Sequence, residues 1–71
     1  MNELIERTIN LALENRDRFC ISLVQCRFRV GYTIAAKTVE ILEQRGIVGP
    51  YDRNTGFRPV LINSLEEARN L

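Results

Sequence analysis

The chain has 71 residues, 45% of them hydrophobic and 27% charged, with a formal net charge of +1 and no histidine. That length allows one small domain with a modest core, and the ordinary composition excludes bulk disorder. Its two cysteines, Cys20 and Cys26, fall short of the roughly four ligands a zinc site needs. They read as two buried, reduced thiols. No signal peptide and no apolar run of about 20 residues is present, so the chain reads as cytoplasmic, without membrane contact, metal or cofactor.

The first predicted helix runs from Asn2 to about Asn15. Leu4, Ile5, Ile9, Ala12 and Leu13 share one helical face, and Leu11 broadens it. Asn2 supplies an N-cap, while Glu3 and Glu6 suit the positive end of the helix dipole. Phe19-Cys20-Ile21 is short and apolar and predicts a brief edge strand. Ser22 with Gln25 forms a capping box that starts the second helix, with Leu23, Val24 and Phe28 facing inward and Val30 just beyond. Gly31 is the expected break, supplying a positive φ for the turn. The third helix spans about Tyr32 to Arg45, with Ala35, Val39 and Leu42 as its buried stripe and Gly46 as its stop.

Beyond the stop, Ile47-Val48 and Phe57-Arg58-Pro59-Val60-Leu61-Ile62 read as strands of a hairpin. Gly49-Pro50 turns the chain, residues 52–56 form the loop, and Pro59 confines the return strand to an edge. A hairpin after the third helix is a wing. Ser64-Leu65-Glu66-Glu67 is a second capping box, opening a short helix to about Asn70. Leu65, Ala68 and Leu71 are expected to pack on the body or on a second copy. The fold class is therefore α+β, mainly α: a winged helix-turn-helix over residues 1–63, with a short C-terminal helix or tail over residues 64–71.

Charge is unevenly spread. Residues 1–15 carry −2, residues 16–37 carry +4, and residues 38–71 carry −1. The positive segment is the helix-turn-helix, where contacts to phosphate belong. With no histidine, serines at caps and scattered acids such as Glu40 and Glu43, the chain does not read as an enzyme.

Over residues 3–62 the chain resembles the γ domain at the C-terminus of the FtsK/SpoIIIE bacterial DNA translocases, a winged-helix DNA reader. The resemblance rests on Ser22-Leu23, Gln25, Arg27, Arg29, Gly31-Tyr32, Ala35-Ala36, the run Leu42 to Pro50, and Val60-Leu61-Ile62. It implies sequence-directed binding of short G-rich motifs, a link to chromosome segregation and contact with the tyrosine recombinase XerD in Xer recombination. The family has Asn or Ser and then Arg after the Gly-Tyr pair, and Arg again after the two alanines. Here those positions hold Thr33, Ile34 and Lys37, and isoleucine cannot make the bidentate contact by which arginine reads guanine. The chain carries no P-loop, and Met1 with the tail after Ile62 points to a stand-alone small protein, of the kind a phage or other mobile element encodes.

In a winged helix the third helix enters the major groove, while the second helix and the wing contact phosphates. The expected DNA-binding residues are Arg27, Arg29, Tyr32, Thr33, Lys37, Arg53 and Arg58. Thr38 is placed on the same outward side. Ile34 and Ile41 lie one below the other on that helix; either they belong to the core or they form an apolar patch for a protein partner. Two functions stand side by side. One is a FtsK γ-like protein that binds double-stranded DNA. The other is a protein-interaction module that binds or regulates a XerD-type recombinase, or imitates a γ domain. Either acts as a monomer or a weak homo-oligomer.

Overall fold

A computed structural model describes residues 3–70, built on α1 (Glu3–Glu14), α2 (Ile21–Phe28), α3 (Tyr32–Gln44) and α4 (Leu65–Arg69). The expected cap at Asn2 and the packing of Leu71 lie outside the described residues. In α1, Ile5, Thr8, Ile9, Leu11 and Ala12 are buried. Thr8 can sit in that face because its hydroxyl donates to the Leu4 carbonyl at 2.7 Å, leaving no unsatisfied polar atom. The helix closes at Asn15, whose backbone N–H reaches the Leu11 and Ala12 carbonyls.

The expected edge strand at Phe19-Cys20-Ile21 does not form. Phe19 is fully buried among the core residues Ile9, Val24, Val39 and Leu42, and its carbonyl accepts one bond from the Arg58 N–H at 2.8 Å. Cys20 is the extended N-cap of α2, with no side-chain cap, so Ser22 lies inside the helix and its expected capping bond is not made. The helix begins two residues earlier than a Ser22 cap implies, because Ile21 packs on the core. Cys20 is half-buried and Cys26 exposed, both as free thiols, so the expectation that both are buried fails for Cys26.

The turn between α2 and α3 also differs from expectation. The left-handed residue is Arg29, with φ 54° and ψ 44°. Gly31 has φ −69° and acts as the extended N-cap of α3. The chain reverses two residues earlier than its glycine suggests, because α2 ends at Phe28, whose side chain packs against the core.

The stop of α3 is as expected. Gly46 has φ 76°; its N–H donates to the Glu43 carbonyl at 3.0 Å, and the Ile47 N–H donates to the Leu42 carbonyl at 2.9 Å. These two bonds are a Schellman motif. They turn Ile47 and Val48 straight into the core, where both are buried.

The hairpin is reduced to two isolated antiparallel bridges, Val48 with Val60 and Asp52 with Phe57. Three residues lie between the bridged positions on one side and two on the other, so a one-residue bulge interrupts the ladder. Pro50 and Pro59 donate nothing, and the Arg58 N–H is taken by Phe19. No regular strand occurs among the described residues. The return segment is tied down by bonds from Gly49 to the Pro59 carbonyl and from Leu61 to the Ile47 carbonyl, both 2.8 Å.

Ser64 caps α4 by accepting from the Glu67 N–H at 3.3 Å, and Glu67 reaches back to the Asn63 N–H at 2.5 Å. Ala68 is buried and Leu65 packs on the core. α2 packs on α3, α1 on α3, and α4 on α1.

The two glycines at the ends of α3 should respond differently to a methyl group. Gly46→Ala should lower unfolding stability by about 1–2 kcal/mol, the cost of a left-handed non-glycine residue. Gly31→Ala should change it by less than about 0.5 kcal/mol, since its φ is ordinary and its Cβ would meet open space. Urea denaturation of both variants checks this.

Candidate nucleic-acid interface

Packing sets which side of α3 faces outward. Ala35, Val39 and Leu42 are fully buried, which turns the opposite flank to solvent. Tyr32 is 62% exposed and Ile34 51% exposed, and Thr33 and Lys37 are exposed beside them. Thr38, expected outside, is buried. Its hydroxyl donates to the Ile34 carbonyl at 2.8 Å, and so it joins the core face without leaving an unsatisfied polar atom.

Ile34 and Ile41 divide between the two alternatives. Ile41 is half-buried against the core, whereas Ile34 stands free. A joint Ile34–Ile41 patch therefore does not exist; Ile41 belongs to the packing of α3.

The cations fall into two sets. Arg7 pairs with Glu3, Arg69 with Glu6, and Arg58 with Glu43, while Arg27 lies 4.0 Å from Glu14. Arg29, Lys37 and Arg53 have no acidic partner among the described residues, nor do Arg18 and Arg45. Sequence reasoning did not single out Arg18 or Arg45; the signal for Arg45 is its place at the C-cap of α3.

Arg58 differs from its expected role at the loop tip. Its guanidinium donates to Glu43 at 2.7 Å and to the Gly49 carbonyl at 3.4 Å, and its side chain is only 15% exposed. It braces the loop against α3 and does not project from it. Arg16 plays a second bracing part that no spacing in the sequence announces. It donates to the Ile62 carbonyl at 2.6 Å and to the Val60 carbonyl at 3.3 Å, covering the free edge of the return segment. Arg53 is exposed within the 52–57 loop. There the Asp52 carboxylate accepts from the Asn54 N–H at 2.8 Å and the Gly56 N–H closes on the Asp52 carbonyl.

The resulting surface offers a phenol, a hydroxyl, an ammonium and unpaired guanidinium groups on and around one helix flank. Such groups donate to anionic oxygens and to base edges. Among the described residues no group of three His, Cys, Asp or Glu is placed to hold a metal ion, and no helix is long and apolar enough to cross a membrane.

The FtsK gamma domain family model matches residues 1–63. The DNA translocase FtsK of Bacillus cereus is 41% identical over 66 residues, covering 93% of this chain and 8% of the relative. The corresponding protein of Halalkalibacterium halodurans is 39% identical over 66 residues, with the same coverage. DNA translocase SpoIIIE of Bacillus subtilis is 39% identical over 51 residues, 72% of this chain and 6% of the relative. The chain thus spans less than a tenth of the length of these relatives. A family match over nearly all of the chain, on a helical body whose α2, turn, α3 and glycine stop follow the shared motif, assigns it: the chain belongs to the FtsK gamma domain family.

Proposed function

We propose that this chain binds duplex DNA as a winged helix-turn-helix, with α3 in the major groove and the 52–57 loop acting as the wing on adjacent phosphates. The observation that carries the reading is Arg29. It occupies a left-handed conformation that costs a non-glycine residue about 1–2 kcal/mol. Glycine would fill the position without that cost. Arginine there has no acidic partner among the described residues, so its value lies in a contact outside the chain, and a phosphate fits the guanidinium fork.

Two further observations support the reading. The relatives are named as DNA translocases, and the unpaired cations Arg29, Lys37 and Arg53 lie on the helix-turn-helix and its loop. Tyr32 and Thr33 hydrogen-bond phosphate or base edges, Lys37 reaches phosphate or guanine, and Arg27 and Arg53 neutralise flanking phosphates. Arg58, held by Glu43, sets the angle of the loop to α3. Burial of Leu65 and Ala68 within the chain supports a monomer, and duplex DNA as partner places it in the cytoplasm.

A second reading rests on exposed groups away from α3 and on a groove that shares the 52–57 loop. Tyr51 and Leu61 are exposed, and Tyr51 lines an open groove of about 640 Å³ with Arg16, Phe57 and Pro59. On this reading the chain is a protein-interaction module for a XerD-type recombinase. A Tyr51→Ser, Leu61→Ser double variant should then lose capture of the purified recombinase while keeping duplex affinity; unchanged capture removes this surface from the account.

Charge reversal tests the first reading. Lys37→Glu and Arg29→Glu should each weaken duplex binding at least tenfold. With about three phosphates neutralised, the logarithm of the wild-type association constant should fall against that of salt concentration with a slope near −3. Fluorescence anisotropy measures both, and salt-independent binding overturns the reading. Arg29→Gly should separate stability from function: about 1 kcal/mol more stable in urea, yet weaker on DNA, with a salt slope shallower by about one.

A further inference from the structure

Resting on the DNA-binding reading, we infer that Ile34 is a base-reading residue whose side chain meets the C5-methyl group of a thymine. Ile34 is half-exposed on the first turn of α3, the part of a recognition helix that approaches base edges. Its neighbours on that turn, Tyr32 and Thr33, are exposed, and Lys37 stands one turn further on. Arg29, three residues before the helix, and Lys37 have no acidic partner among the described residues. The isoleucine is therefore a small apolar island inside a polar, cationic margin.

That setting selects the occupant. A stable protein–protein interface buries about 800 Å² per partner around a core depleted of charge. Ile41, which would extend the island along the helix, is packed against the core instead. One aliphatic side chain ringed by phosphate-seeking groups matches the DNA major groove, where the thymine methyl is the apolar feature that the base edges present. Ile34 lies within α3, and its carbonyl accepts from the buried Thr38 hydroxyl at 2.8 Å, so the branched side chain projects from a helical backbone. It makes no hydrogen bond to guanine, so the preference at its base pair is for thymine.

The test removes one methyl group from the DNA and then its partner from the protein. A duplex is selected from a random library with the wild-type chain, and each thymine of the selected site is replaced in turn by deoxyuridine. At one position the wild type should bind the uracil duplex about fourfold more weakly, the value of one buried methyl group. Ile34→Ala, which lies off the core and keeps a helix-forming residue, should bind the thymine and uracil duplexes equally. Wild-type binding that is indifferent to every uracil replacement, or a sensitivity that persists in Ile34→Ala, overturns the inference and leaves DNA binding standing. Failure to select any duplex overturns both and assigns the exposed isoleucine to a protein partner.

Discussion

The rotation of α3 about its own axis is the constraint on which the rest depends. Ala35, Thr38, Val39 and Leu42 are buried, and their spacing covers one side of a 3.6-residue helix. Once they are fixed, Tyr32, Thr33, Ile34 and Lys37 have no freedom to face inward. The Schellman stop at Gly46 sends Ile47 and Val48 into the same core, so the helix is pinned at its end as well as along its face. Phe19, the largest fully buried side chain, joins the α1–α2 connection to that core and to the return segment through Arg58.

Ion pairing then sorts the surface. Arg7, Arg58 and Arg69 are drawn to Glu3, Glu43 and Glu6, and these pairs serve the body of the molecule. Exposed pairs of this kind contribute little to stability; the half-buried Arg58–Glu43 contact matters more for geometry, because it couples the loop to the end of α3. Arg16 works from the other side by occupying the carbonyls of Val60 and Ile62. Of the cations without an acidic partner among the described residues, Arg29, Lys37 and Arg53 lie in the α2–α3 turn, on the outward flank of α3 and in the loop.

Much of this was legible in the residues. The stripe Ala35, Val39, Leu42, the stop at Gly46 and the Ser64 cap are local patterns, each decided within a few positions of the chain. What escaped was decided by tertiary contacts. Ile21 packs on the core and the N-cap of α2 falls two residues earlier, at Cys20, which displaces Ser22 from the cap. Thr38 is polar yet buried, because a neighbouring carbonyl satisfies it. Arg29 takes the left-handed position although Gly31 stands two residues away, so composition alone points to the wrong residue. Arg58 turns inward because Glu43, 15 positions distant, waits for it. Prolines and a bulge cut the expected hairpin to two bridges. Family membership was legible from the ordered motif.

The central claim is that the outward flank of α3, with Arg29 and the 52–57 loop, is the surface that meets duplex DNA. Mapping backbone amide chemical shifts of the labelled chain during titration with a duplex tests it most directly. The account predicts shifts confined to residues 27–37 and 53–56, with α4 and Leu61 unchanged. Shifts centred on Tyr51, Leu61 or α4, or none at saturating duplex, would contradict it.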